Sequence, residues 1–469
     1  MLFNSLDFLV FFAVVYAGYL LLPHLAQNRW LLAASFFFYG YWDYRFLGLM
    51  LVSITIDYFT GLRIHASADP RVRKRWLVTS ITAELTILGF FKYFNFFVSS
   101  AEVLLAQFGL DPARWHLNIV LPVGISFYTF QAMSYSIDIY RGHLKPTRDY
   151  LSFALFVSLF PQLVAGPIER ASHLLPQVLQ PRRITALAIR QGLWLVLYGL
   201  FKKMVIADNL SLMVDRHFAG DPAGWAAALV GTYGFAFQIL CDFSAYSDIA
   251  RGVGQLMGFD LMRNFRNPYF ALNPSDFWRR WHISLSTWLR DYLYIPLGGN
   301  RGGARRTYIN LILTMLLGGL WHGASWTFVA WGLYHGLLLA VHRLIAGERG
   351  SSEAPISGLG RVWRMAGMFH LVCIGWVFFR ARTFSQAWAY LTSFTGPAGW
   401  SHALLNDTLL LVVLVVPLLA IQAYKERTGD LYAPLRLSLV PRIALYAGLL
   451  LSILTVAHTG SHAFIYFQF

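Results

Sequence analysis

Two histidines stand where apolar residues would be expected. From Thr307 to His342 the chain runs 36 residues without Asp, Glu, Lys or Arg, and Trp321-His322-Gly323 is the most polar point of that run. An imidazole there is costly unless it has a partner or a water-filled cavity, so its default reading is functional, and proton transfer is the chemistry it offers near neutral pH. The competing reading is a buried histidine bonded to a backbone carbonyl. Gly318, Gly319 and Gly323 let a substrate or a neighbouring backbone come close. Forty residues upstream, His282 sits in an aromatic segment, Asn273 to Arg290. Trp278, Trp281, Leu285, Trp288, Leu289 and Tyr292 repeat at helical spacing, with His282 inside their stripe rather than on the arginine face. His335 and His342 share a face, about 220° around from His322 for His335 if the helix is continuous; they read as packing or interfacial residues.

Other patterns carry less. Gly252-Val253-Gly254 with Gly258 has no preceding strand to make it a phosphate loop, and small-residue helix packing explains it. His402 and Asp407 have an H-x4-D spacing, but at the junction of a loop and a span. There is neither a G-x-S-x-G elbow nor an H-E-x-x-H zinc motif. Cys241 and Cys373 lack disulfide or metal-ligand spacing and read as packing residues. Asp138, Glu169, Asp242 and Asp248 interrupt or border apolar runs, where Arg141, Arg170 and Arg251 are nearby partners for them.

The elements that position these groups must be membrane helices. Of 469 residues, 57% are hydrophobic and only 13% charged, against about a quarter charged in ordinary soluble domains. That composition rules out disorder, a coiled coil and almost any water-soluble enzyme of this length. The net charge of +15 comes from basic clusters between apolar runs, which is a topology signal rather than a nucleic-acid footprint. Asp7 and the lack of any basic residue before Arg29 argue against a signal peptide, so 8–28 is expected to be a retained span with its N-terminus outside.

A span needs about 20 apolar residues. Charge-free runs of that order at 8–28, 115–137, 150–168, 222–241, 307–342 and 443–469, with shorter runs between them, give about a dozen transmembrane or re-entrant helices in one all-α domain, 1–469. The clusters at 69–75 and 263–306 should face the cytoplasm; the latter has eight Arg against Asp276 and Asp291. Within it Asn273 suits an N-cap, Pro274 the first helical position, and Asp276 the positive end of the dipole. The bland account of this stretch is an interfacial helix. As one helix 307–342 would be about 54 Å long, nearly twice the hydrocarbon thickness, so it must break, at Gly318, Gly319 and Gly323.

Phe277-Trp278-Arg279-Arg280-Trp281-His282-Ile283-Ser284, Leu293-Tyr294-Ile295-Pro296-Leu297-Gly298-Gly299-Asn300-Arg301 and Gly318-Gly319-Leu320-Trp321-His322-Gly323 resemble the membrane-bound O-acyltransferase (MBOAT) family, and within it the alginate O-acetylation branch of exopolysaccharide acetyltransferases. Leu121 to Phe130, Phe160 to Pro167, Asp242 to Asp248 and the terminal Phe464-Ile465-Tyr466-Phe467-Gln468-Phe469 also fit. The resemblance runs nearly end to end; 350–440 has no recognisable motif.

The resemblance implies a helical fold around a tunnel through the bacterial inner membrane, with the family's invariant histidine at His322 and its second polar catalytic position at His282. It implies acetyl-CoA as cytoplasmic donor, no metal or prosthetic group, and a periplasmic polysaccharide acetyltransferase of the same pathway as acceptor. Thioester transfer needs a base and oxyanion stabilisation: His322 suits the first, His282 the second or the orientation of the thioester. Arg279, Arg280, Arg301, Arg305 and Arg306 form a collar for CoA phosphates, each equally explained by topology alone. The tail resembles the acyl-handling tail of a small partner peptide in D-alanyl-transferring relatives. Tyr466 could therefore carry the acetyl as a phenyl ester, or be an aromatic interfacial anchor. A transporter or flippase remains a different class of function, but would be expected to show repeated halves, which are not found. Sibling reactions on lipid, teichoic acid, cellulose or another polymer are further alternatives.

Overall fold

In the computed structural model, which describes residues 1–110, 116–163, 166–347, 358–457 and 464–465, the regular elements among those residues are all helices. Seven are long and apolar enough to cross a membrane; other apolar stretches form shorter helices. The chain divides into two compact units, Met1–Ile189 with Val253–Met262, and Arg190–Gly252 with Arg263–Phe469.

In the first unit, Ser5 caps α1 (Leu6–Leu21) by accepting from the Phe8 N–H. Pro23 separates α1 from α2 (His24–Asp43), so the run expected as one span over 8–28 is broken, since proline lacks the N–H that continuity needs. α3 (Arg45–Ala66), α4 (Pro70–Leu88) and α5 (Ile125–Tyr140) pack together. They are tied by buried polar bonds: Ser80 and Ser136 donate to Asp57 Oδ1, and Ser53 donates to Glu84 Oε1. On α6 (Ala171–Leu179), His173 Nδ1 lies 2.9 Å from Glu169 Oε2, and Nε2 lies 3.8 Å from Asp260 Oδ2.

In the second unit, α7 (Ala186–Leu200) widens into a π-helical turn, Phe201–Ala207, before α8 (Asp208–His217). The wide turn faces two successive lysines inward onto α9 (Trp225–Leu256). Lys202 Nζ stands 2.8 Å from Asp248 Oδ2, and Lys203 Nζ 2.8 Å from both Asp242 Oδ1 and Asp208 Oδ1. Thus Asp242 and Asp248 have lysine partners that their sequence neighbourhood does not offer. Glu169, by contrast, finds a sequence neighbour in His173, four residues on, rather than Arg170. Cys241 and Cys373 are free and buried, and Asp407 is held by Arg216 at 2.8 Å and His217 at 3.1 Å.

Candidate active site

The segment 273–290 is not one helix. Asn273 Oδ1 caps α10 (Pro274–Trp278) by accepting from the Asp276 N–H at 2.7 Å, with Pro274 at the first position as expected. The helix stops, and α11 (Ile283–Leu289) starts again after His282, which is left-handed at φ 41° and ψ 55°. The bonds lost to the break are replaced from upstream: Arg266 N–H donates to Arg280 O, Ile283 N–H to Asn264 O, and Ser284 Oγ to Asn264 Oδ1 at 2.6 Å. Left-handed backbone is uncommon outside glycine, although histidine tolerates it better than most, and such strain collects at functional sites. His282 therefore leaves the stripe that its spacing suggested and points inward, fully buried.

α12 (Gly303–His322) and α13 (Trp326–Ala346) form an antiparallel hairpin. The break in the 307–342 run falls at Gly323 to Ser325, and Gly318 and Gly319 stay helical. Their role is close packing: a Cβ on Gly319 would stand 2.2 Å from Phe328 O, and one on Gly332 would stand 2.3 Å from Met315 O. His322 is the last residue of α12 and 3% exposed. Its ring centroid lies 6.2 Å from that of His282, 5.0 Å from Trp331 and 5.4 Å from Phe379. Phe243 meets His282 edge-on at 4.6 Å, and Trp321 lies 5.8 Å away. His282 lies outside the seven spans; burial pushes its imidazole down to about 3, so the ring is neutral.

His335 is 1% exposed, 4.9 Å from Trp331 and 5.2 Å from Trp278. A Cβ on Gly375 of α14 (Leu359–Arg380) would reach 2.6 Å from its Nε2. It is thus a packed histidine one ring removed from His322. His342 lines a cavity of about 430 Å³ at the base of the hairpin, together with Arg279, Arg290 and Arg343, Ser275, Tyr294 and Asn300. Of the collar suggested by sequence, only Arg279 lines this cavity. Arg280 is bound to Asp276 at 2.9 Å and Glu426 at 2.8 Å, whereas Arg306 reaches the Leu297 carbonyl at 3.4 Å; Arg301 and Arg305 are not in its lining. Arg290 and Arg343 were missed by sequence reasoning; Arg343, the first charge after the apolar run, was the available signal. At the opposite end of the hairpin, a second cavity of about 590 Å³ is lined by Asp215, Ser325, Thr327, Phe328, Phe379, Arg380 and Arg382. Phe379 is shared between this cavity and the ring cluster on His322. Tyr466 lies outside the described residues, and no metal-binding group of His, Cys, Asp or Glu occurs among those described.

A buried imidazole pair stands at the tip of the hairpin, with a basic cavity at the hairpin's base and a polar one at its tip. Residues 141–348 match the membrane-bound O-acyltransferase family, MBOAT, and the chain belongs to that family. It is 42% identical over 435 residues to the probable alginate O-acetylase AlgI of Azotobacter vinelandii, covering 90% of this chain and 86% of that protein. It is 41% identical to the protein of the same description from Pseudomonas aeruginosa, over 92% of this chain and 84% of the relative. The peptidoglycan O-acetyltransferase of Helicobacter pylori is 37% identical, over 86% of this chain and 81% of its own length. The chain is a multi-pass membrane O-acyltransferase.

Proposed function

We propose that this enzyme takes acetyl from acetyl-CoA at the cytoplasmic face of the bacterial inner membrane and delivers it to an acceptor at the other face, for O-acetylation of an exopolysaccharide, alginate first, through a periplasmic acetyltransferase partner. The observation that carries the reading is the His282–His322 pair, 6.2 Å apart and closed from solvent. The names of the relatives at 41–42% identity support alginate as the polymer; the one at 37% makes peptidoglycan the second reading.

In this reading CoA phosphates lie in the base cavity against Arg279, Arg290 and Arg343, a guanidinium set suited to polyanions. The positive-inside cluster at 263–306 supports the cytoplasm as the side of that cavity. The acceptor enters by the tip cavity. Its hydroxyl gives a proton to the His322 imidazole as its oxygen bonds the thioester carbonyl carbon. The neutral His282 ring stabilises the oxyanion as a hydrogen-bond donor. The C–S bond then breaks, and the proton passes from His322 to the leaving CoA thiolate. Where Tyr466 is the first acceptor, its phenol oxygen takes the acetyl as an ester and loses its proton by the same route.

The test is purified protein in nanodiscs with acetyl-labelled acetyl-CoA, comparing wild type, His322→Ala and Tyr466→Phe. Histidine-dependent thioester loss is expected, with label on protein lost in Tyr466→Phe. Wild type that leaves acetyl-CoA untouched in the presence of its partner would end the donor assignment; full activity in Tyr466→Phe would end the relay.

A further inference from the structure

We infer that Asp242 is a positioning residue: its carboxylate, set in place by Lys203, holds the backbone of Phe464–Ile465 beside the histidine pair. The inference rests on the acyl-transfer reading and gives that segment a defined anchor.

Asp242 lies on α9, inside a helix whose apolar neighbours give a carboxylate no ordinary place, and is 3% exposed. Its two oxygens do different work. Oδ1 faces Lys203 Nζ at 2.8 Å, and Oδ2 accepts the backbone N–H of Ile465 at 2.7 Å. The two residues are 223 positions apart in sequence. Phe464 and Ile465 are 0% and 3% exposed. The Phe464 ring packs on Tyr246 at 4.4 Å and on Phe243 at 5.8 Å, and Phe243 is the ring that meets His282 at 4.6 Å. One aromatic ring therefore separates the anchored segment from the candidate site.

A buried carboxylate accepting from a backbone amide makes a charge-assisted bond, stronger and more directional than an amide–carbonyl one. It can hold only if its own charge is compensated. Lys203 provides that, and does so because the π-helical turn brings it inward; its ammonium is also fixed by Asp208 at 2.8 Å and lies over the Tyr246 ring at 5.6 Å. A side chain serving helix packing alone would not spend an oxygen on a main-chain amide so far along the chain. Since the bond is to backbone, it holds the main chain at Ile465 whatever side chain that position bears.

The experiment attacks the bond from each side. Asp242→Ala removes the acceptor. Ile465→Pro removes the donor, fixing φ as it does so, and leaves the Lys203–Asp242–Asp208 cluster whole; Ile465→Ala controls for the lost side chain, keeping the N–H. Hydrogen–deuterium exchange of the C-terminal peptide and acetyl transfer from acetyl-CoA are measured on the full-length protein in nanodiscs. The expected result is faster exchange in Asp242→Ala, transfer lowered about tenfold or more in Asp242→Ala and Ile465→Pro, and a far smaller loss in Ile465→Ala. A purely structural Asp242 would leave Ile465→Pro no worse than Ile465→Ala, which overturns the inference. So does unchanged exchange in Asp242→Ala, or a freed segment with undiminished transfer. If wild type consumes no acetyl-CoA, the donor reading fails separately, and exchange in Asp242→Ala still decides whether the anchor exists.

Discussion

The rings of His282 and His322 lie 6.2 Å apart between centroids and 50° from parallel, although one is in a left-handed turn and the other ends a helix of 20 residues. Each is brought there by a different device, a break paired to Asn264 and a glycine-packed hairpin. A pair built this way should act as a unit. His322→Ala is expected to lower acetyl transfer by about 10²–10⁴-fold, the usual worth of a general base. Adding His282→Ala should cost less than it does alone. Single-turnover assays of the two single variants and the double variant test this; strictly multiplicative losses would mean the rings act independently.

Backbone and ring at position 282 can be separated. His282→Asn keeps a residue that tolerates φ 41° and should fold with normal thermal stability while losing activity. His282→Val should lose about 1–2 kcal/mol from its left-handed backbone as well. Melting curves in detergent, read beside turnover, distinguish the two losses.

At the hairpin, Gly319→Ala places a methyl 2.2 Å from Phe328 O and Gly332→Ala one 2.3 Å from Met315 O. Both should cost about 1–3 kcal/mol and lower activity by displacing His322. Gly367, also helical, has nothing within 4 Å of such a methyl, and Gly367→Ala should be neutral or stabilise by up to about 1 kcal/mol. A melting-temperature series on the three variants checks the order.

The base cavity predicts a kinetic signature. Arg279→Ala, Arg290→Ala and Arg343→Ala should each raise KM for acetyl-CoA by roughly tenfold or less, because Arg279 and Arg290 are more than half exposed. Turnover at saturation should change little. Arg305→Ala, outside that lining, should leave KM alone. Steady-state kinetics at two salt concentrations read both effects.

In the first unit, Asp260 and Glu169 hold the His173 imidazolium up, to about 10. Glu169, closer and buried, is the firmer partner, for Asp260 is mostly exposed. A histidine raised above its unfolded value of 6.5 stabilises the fold fully below that value and loses the contribution as pH rises through about 10. Wild type should therefore lose more thermal stability between pH 7 and 10 than His173→Gln does. Parallel melts across that range settle the matter.

Much of this was legible in the sequence and some was not, for physical reasons. The membrane class and the prominence of His322 follow from charge patterning, and Asn273 and Pro274 mark their helix start. The break at His282 was hidden because Trp278, Trp281, Leu285 and Trp288 satisfy one helical period; what decides it is backbone pairing from Asn264 and Arg266, a tertiary effect. Gly318 and Gly319 look like a break because small residues serve both breaks and close helix contacts. Likewise, Arg280 counts as a collar residue by charge, yet its partner Glu426 is 146 residues away. The lysine partners of Asp242 and Asp248 depend on a π turn, which no periodicity announces.

That turn makes this part of the chain unusually intolerant of length change. A π turn is an α-helix carrying one surplus residue. Removing any one position between 201 and 207 would let the segment close into regular α-helix, its flanks still in register, and abolish the wide turn that brings both lysines inward. The ammonium groups would swing off α9, and no point substitution could swing them back. A deletion scan should thus find a sharp forbidden window here, with tolerance returning at the surface loops.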